Sequence, residues 1–106
     1  MSDSADLLAI AARWIGEGHR VALGTVVKTW GSAPRPPGSL IVVRGDGAFE
    51  GSVSGGCVEG AVIEAALETM ALRTPKRLDF GISDADAWSH GLACGGRIEV
   101  LVEAVI

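Results

Sequence analysis

Residues 39–72 read SLIVVRGDGAFEGSVSGGCVEGAVIEAALETMAL. Leu40, Ile41, Val42 and Val43 form a short continuous apolar run bounded by turn residues, the pattern of a strand buried on both faces. Gly45-Asp46-Gly47 then turns the chain into a short segment from Ala48 to Val53, so the two pieces predict a hairpin. Ser54-Gly55-Gly56 separates this hairpin from the clearest helix of the chain, over 58–72. There Gly60, Glu64 and Glu68 recur every four residues on a polar, solvated face. Val58, Val62, Ile63, Ala66, Leu67 and Met70 occupy the rest of the helix. Arg73, Lys76 and Arg77 follow it as cations near the negative end of the dipole, and Pro75 stops it.

Outward from this core stretch, Leu7, Ile10, Ala11, Trp14 and Ile15 sit at helical spacing within residues 5–18, with Gly16 and Gly18 marking the end. Residues 20–29 are rich in Val, Leu and Thr and read as a strand. Leu78 to Ile82 reads as a short strand, and residues 83–93 as a polar loop carrying Asp84, Asp86, Ser89 and His90. Residues 97–105 alternate around Glu99 and Glu103 and read as a final strand. The order is helix, strands, helix, strands. It predicts an α/β class, with α+β as the alternative: one small domain over 1–106, with a mixed sheet packed by two main helices.

The composition sets limits on function. At 106 residues the chain has room for one domain, and 48% hydrophobic against 21% charged residues argues against disorder. Nine basic and thirteen acidic residues give a formal charge of −4 and a pI near 5.0. Such a net anion is a poor general binder of nucleic acid or of an anionic membrane. A mean hydropathy of +0.36 is high for so small a domain. It predicts that another chain, a second copy or a partner, covers some of the apolar surface. The acidic start Ser2-Asp3-Ser4-Ala5-Asp6 has no basic n-region, and no apolar run reaches about 18 residues. A cytoplasmic protein with reduced thiols is therefore expected.

Three loops concentrate the chemistry. Thr29-Trp30-Gly31-Ser32-Ala33-Pro34-Arg35-Pro36-Pro37-Gly38 is stiffened by its prolines, which suits Arg35 to present a planar fork to a phosphate or carboxylate. The bland alternative is an exposed turn with an incidental arginine. Ser52-Val53-Ser54-Gly55-Gly56-Cys57-Val58-Glu59 leads straight into the main helix. Gly55 and Gly56 leave backbone amides approachable, the helix start favours an anion, and the same field favours the Cys57 thiolate. Against this stands the ordinary case of a small buried cysteine in a glycine-rich turn. Gly91-Leu92-Ala93-Cys94-Gly95-Gly96-Arg97-Ile98-Glu99 nearly mirrors the second loop. Paired thiolates facing one cleft would suit a soft or late metal or an oxidised sulfur species, and Arg97 adds another possible anion contact. Cys57 and Cys94 are not a CxxC pair, and two Cys with two His show no zinc-ligand spacing. His19 reads as a favourable cation at a helix end. A Cys–His pairing of His90 with Cys94 has no spacing to fix its geometry. Trp14 reads as core, whereas Trp30 and Trp88 border the loops and either stack on a flat ring or pack.

In this order the three loops resemble the XdhC/CoxI family of accessory proteins for molybdenum hydroxylases. The matching stretches are Gly31-Ser32-Ala33-Pro34-Arg35-Pro36-Pro37-Gly38, Gly51-Ser52-Val53-Ser54-Gly55-Gly56-Cys57-Val58-Glu59 and Cys94-Gly95-Gly96-Arg97-Ile98-Glu99-Val100. The resemblance implies a non-enzymatic chaperone that binds molybdenum cofactor, as molybdopterin or its nucleotide form, and delivers it to an apo molybdenum hydroxylase such as xanthine dehydrogenase or carbon monoxide dehydrogenase. It also implies a cysteine desulfurase partner that supplies the terminal sulfido ligand. Carried over, Cys57 and Cys94 are the cofactor contacts at the molybdenum end. Gly55, Gly56, Gly95, Gly96 and Arg35 are further contacts. On the chemistry of such a ligand, the helix start at residue 58, Arg35 or Arg97 would serve the phosphate, and Glu59 or Glu99 the amino edge of the pterin. Typical members carry a C-terminal Rossmann-like domain, which is not expected within these 106 residues. A homo-oligomer, a separate Rossmann-like partner chain or an excised fragment is the corresponding expectation. Two rival readings remain at this level: a sulfur-transfer enzyme using Cys57 as nucleophile, and a structural oligomerisation subunit.

Overall fold

The computed structural model describes residues 4–30, 35–53, 58–80 and 97–105. Helix α1 spans Ser4–Gly16, strand β1 Val21–Trp30, β2 Leu40–Arg44 and β3 Phe49–Gly51. Helix α2 spans Glu59–Leu72, followed by β4 Lys76–Phe80 and β5 Arg97–Ala104. The five strands form one sheet in the order β3-β2-β1-β5-β4. Every pairing is antiparallel, so the expected mixed sheet is corrected to an antiparallel one and the fold is α+β. The physical reason lies in the connections. α2 carries the chain from one edge strand to the other, and β3 and β4 run in the same direction but never meet. No crossover links two neighbouring strands.

The sheet is buried on both faces where the helices lie. Along β2, Ile41 and Val43 join one buried cluster with Val62, Ala66 and Met70 of α2, whereas Val42 joins a second with Leu7, Ala11 and Trp14 of α1. Alternate residues of a strand point to opposite faces, so α1 and α2 cover opposite sides of the sheet. The continuous apolar run in β2 is a consequence of this double burial. On β5, Ile98, Val100 and Val102 face α2 and are fully buried, while Arg97, Glu99 and Leu101 on the other face are half-buried. α1 packs on β2 and β1.

α1 ends at the glycines that mark its close in the sequence, whereas α2 ends earlier than Pro75. The His19 N–H donates to the Trp14 carbonyl at 3.0 Å and the Gly18 N–H to that of Ile15 at 3.0 Å, the paired bonds of a Schellman close. α2 stops at Leu72, before Pro75, because Arg73 adopts a left-handed conformation (φ 60°) and its N–H returns to the Thr69 carbonyl at 2.8 Å. Lys76 and Arg77 therefore belong to β4, not to the end of the helix. Lys76 pairs with Glu68 on α2, and Arg77 lies 3.6 Å from Glu99 on β5. The solvated face of α2 is as expected at Gly60, Glu64 and Glu68. Leu67, by contrast, is exposed, and Thr69 is completely buried in its stead, its hydroxyl donating to the Ala66 carbonyl at 2.8 Å. Among the described residues no helix is long and apolar enough to cross a membrane.

Candidate functional site

Strand direction decides where the three glycine-rich loops begin and end. β1, β3 and β4 all run toward one end of the sheet, and β2 and β5 start from it. The chain therefore leaves or enters the sheet at that end at Trp30, Leu40, Gly51, Phe80 and Arg97. These residues flank all three loops. Cys57, Cys94, Gly55, Gly56, Gly95 and Gly96 lie outside the described residues, as do His90 and Trp88. Of the candidate residues, Arg35, Glu59, Arg97 and Glu99 are described.

β1 and β5, with β4 beside them as far as Phe80 opposite Ile98, rise beyond β2 and β3. Leu40, the first residue of β2, pairs with Thr25, whereas β1 continues to Trp30 opposite Arg97. Five residues of strand correspond to about 17 Å of extra ribbon. A register shift between Val26 and Lys28 leaves Val27 as a bulge and sets Lys28 opposite Glu99.

α2 begins beside this ribbon. A Cβ built on Gly24 of β1 would lie 3.0 Å from Val62 Cγ1 and 3.6 Å from Val100 Cγ1, so Val62 of α2 packs over the part of the sheet where Gly24 lies beside Val102 and Val100 of β5. Four residues back toward the start of α2, about 6 Å along its axis, is its capping residue Val58. Two residues toward the start of β5, about 6.6 Å, is Ile98. Both steps go toward the same end of the sheet, and both residues are buried in one cluster. The two elements thus start at the same end of the sheet, with Val58 and Ile98 in one buried cluster. In sequence, Cys57 immediately precedes Val58, and Cys94 lies three residues before Arg97.

The first loop ends in a tight turn. The Ser39 N–H donates to the Pro36 carbonyl at 3.2 Å and its hydroxyl to the same oxygen at 2.7 Å. Pro37 and Gly38 (φ +90°) hold the central positions, the proline–glycine signature of a type II turn. The turn is tied to β1, because the Gly38 N–H donates to the Val26 carbonyl at 2.8 Å and the Val26 N–H to the Ser39 carbonyl at 2.9 Å. Arg35 leads into this anchored turn and is half-buried.

Glu59, in the first turn of α2, is only 8% exposed. Its Oε2 accepts the Ser52 hydroxyl and the Val53 N–H, the latter at 2.9 Å. The Ser52 N–H in turn donates to the Leu40 carbonyl at 3.0 Å. Arg97 forms a two-pronged pair with Asp79 of β4, its Nε donating to Oδ1 at 2.9 Å and its terminal nitrogen to Oδ2. This hydrogen-bonded pairing holds the Asp79 carboxyl below its ordinary range and raises the Arg97 guanidinium above its own. Glu99 is mostly buried, with Arg77 near one oxygen and no hydrogen-bond partner at Oε2 among the described residues. Among the described residues no group of three or more His, Cys, Asp or Glu side chains is placed to hold a metal ion.

Sequence reasoning placed Glu59 and Arg97 at the site but did not see what they hold. Ser52 and Asp79 are the unforeseen partners. The seven-residue separation of Ser52 and Glu59 carries no periodic signal, and the pairing of Asp79 with Arg97 exists only through the register of β4 on β5.

Known proteins resemble this chain along most of its length. The Molybdenum cofactor insertion chaperone PaoD of Escherichia coli K12 is 38% identical over 97 residues, which is 91% of this chain and 30% of PaoD. A probable xanthine dehydrogenase subunit of Bacillus subtilis 168 is 34% identical over 82% of this chain and 27% of its own length. The crystal structure of a xanthine dehydrogenase from Bacillus halodurans superimposes with a TM-score of 0.76 at 27% identity, over 93% of this chain and 30% of that one. The chain thus spans less than a third of each of these relatives. The sequence pattern of the XdhC and CoxI family matches residues 14–81. The chain belongs to the XdhC and CoxI family.

Proposed function

We propose that the chain binds molybdenum cofactor and helps to insert it into a molybdenum hydroxylase of the xanthine dehydrogenase or carbon monoxide dehydrogenase type, acting as a carrier and not as an enzyme. The observation that carries this reading is that α2 and β5 start at the same end of the sheet, with Val58 and Ile98 in one buried cluster. In sequence, Cys57 immediately precedes Val58, the capping residue of α2, and Cys94 lies three residues before the start of β5. The cargo is a flat pterin with a dithiolene, a molybdenum centre and a phosphate, so it calls for soft donors, an anion contact and hydrogen-bonding groups. Cys57 and Cys94 supply the soft donors. Gly55, Gly56, Gly95 and Gly96 leave backbone amides open to a ligand. Arg35, on its anchored turn, supplies a cation for the phosphate. Arg97 is already engaged by Asp79 in a pair of net zero charge, so its share in holding the phosphate is secondary to that of Arg35.

The names of the relatives support the same reading. One is a molybdenum cofactor insertion chaperone and another a probable subunit of xanthine dehydrogenase. The partners proposed with it are the apo hydroxylase, a cysteine desulfurase that supplies the sulfido ligand, and a second copy or a Rossmann-like chain covering apolar surface. The test is anaerobic incubation with molybdenum cofactor under reducing conditions, with molybdenum quantified per chain after desalting. The expected result is retention by the wild type and loss in Cys57→Ala and Cys94→Ala. Retention by both variants at the wild-type level, or none by the wild type, overturns the reading.

A further inference from the structure

We infer that Glu59 is a positioning residue, which clamps together the two ends of the segment carrying Cys57, and is not itself a cofactor contact. The inference rests on the cofactor-binding reading above and refines it. Three observations support it. The Glu59 side chain is buried, and a buried carboxylate requires internal hydrogen-bond donors. Its Oε2 already accepts two, the Ser52 hydroxyl and the Val53 N–H at 2.9 Å, so the two lone pairs of that oxygen are used within the fold. The Ser52 N–H is fixed to the Leu40 carbonyl of β2, while the helix ladder begins with the Val62 N–H donating to the Val58 carbonyl at 3.1 Å.

The carboxylate thus joins the end of β3 to the start of α2. Residues 54–57 connect two points that β2 and α2 hold from either side. A short connection between fixed ends has far fewer conformations than one with a loose end, so the clamp lowers the ordering cost of any ligand the segment binds. Two roles must then be distinguished. A carboxylate that contacts the pterin needs its charge and an open lone pair. A clamp needs only an acceptor oxygen at that place.

Conservative substitution separates them. Glu59→Gln keeps an acceptor oxygen, Glu59→Ala removes it, and Ser52→Ala removes a donor on the far side of the clamp. The first readout uses cofactor-free chain in a Cys94→Ser background and follows alkylation of Cys57 by iodoacetamide at neutral pH. The expected change is about tenfold or more for Glu59→Ala and less than about threefold for Glu59→Gln, with Ser52→Ala between them. Circular dichroism and a thermal melt select the folded variants, and Ser52→Ala decides the matter if Glu59→Ala does not fold. The second readout is molybdenum retained per chain with both cysteines present, where Glu59→Gln is expected to match the wild type. Unchanged Cys57 reactivity in both alanine variants overturns the inference. So does a Glu59→Gln protein that loses molybdenum as fully as Glu59→Ala. If the reactivity pattern holds but the wild type retains no molybdenum, the clamp stands and the cofactor reading fails.

Discussion

Replacing Gly51 with alanine tests the junction from which the Cys57 segment departs. Gly51 has φ +87°, a conformation that costs an alanine about 1 kcal/mol or more. A Cβ there would also fall far inside contact distance of the Leu40 carbonyl oxygen, and would lie 3.0 and 3.1 Å from the two methyls of Leu7. The carbonyl has no freedom to retreat. It accepts the Ser52 N–H at 3.0 Å, and Ile41 beside it pairs with Gly51 itself. Relieving the clash means opening β2 from β3, with an overpacking cost of about 1–3 kcal/mol. The sum is about 2–4 kcal/mol.

Two other glycines isolate the components. Gly47 has φ +93° with open space around its would-be Cβ, so Gly47→Ala carries only the backbone cost of about 1 kcal/mol. Gly24 has no positive φ, but a Cβ would lie 2.8 Å from Ile41 Cγ2 and 3.0 Å from Val62 Cγ1. Those methyls can shift, so Gly24→Ala carries crowding alone, about 1–2 kcal/mol. Urea unfolding followed by circular dichroism ranks the three. A domain of this size loses about 4–8 °C of melting temperature per kcal/mol, so a further loss of about 1–3 kcal/mol is expected to make Gly51→Ala melt about 4–24 °C below Gly47→Ala. Equal losses at the two sites would refute the close approach of β3 to Leu40 and with it the geometry of the clamp.

Arg73→Gly is expected to raise stability by up to about 1 kcal/mol, because glycine takes the left-handed close of α2 without strain; a denaturant midpoint below wild type would contradict this. Hydrogen bonds from Arg44, and from the Ala48 N–H, hold the exposed Asp46 carboxyl at about 2. A depressed carboxyl contributes stability that is fully present above its unfolded value near 4 and is lost as pH falls through the folded one. Thermal melts between pH 5 and 2 should therefore fall less steeply for Asp46→Asn than for the wild type. Asp79→Asn should act in the same direction, since Arg97 lowers that carboxyl too. Trp14→Ala removes a side chain that is 6% exposed and carries the Arg44 guanidinium 5.2 Å from its ring centre. The expected loss is about 3–5 kcal/mol by chemical denaturation, and less than about 1 kcal/mol would show that α1 does not seal its face of the sheet.

Elements with a strong local pattern were legible before any coordinates. The apolar run 40–43 announced β2, and the four-residue recurrence of Gly60, Glu64 and Glu68 announced α2. Both reflect periodicities that the backbone imposes on whatever it buries. β4 was harder to read. Its first two residues, Lys76 and Arg77, look like cations at a helix end, yet as members of an edge strand they find Glu68 and Glu99 across space. Thr69 carries no apolar signal, yet it is buried where Leu67 is exposed, since a hydroxyl satisfied by its own helix can be buried like a methyl group.

The site divides along the same line. Chemical character was in the sequence: two thiols flanked by glycine pairs, an arginine in a proline-stiffened loop, and three motifs in the order of a known family. Those are properties of neighbours along the chain, and covalent order carries them. What Glu59 and Arg97 hold, and the single end of the sheet to which all three loops belong, came from the tertiary structure. Strand direction and register are set by which apolar faces can be buried together, and that is a property of the whole folded domain, not of any segment read alone.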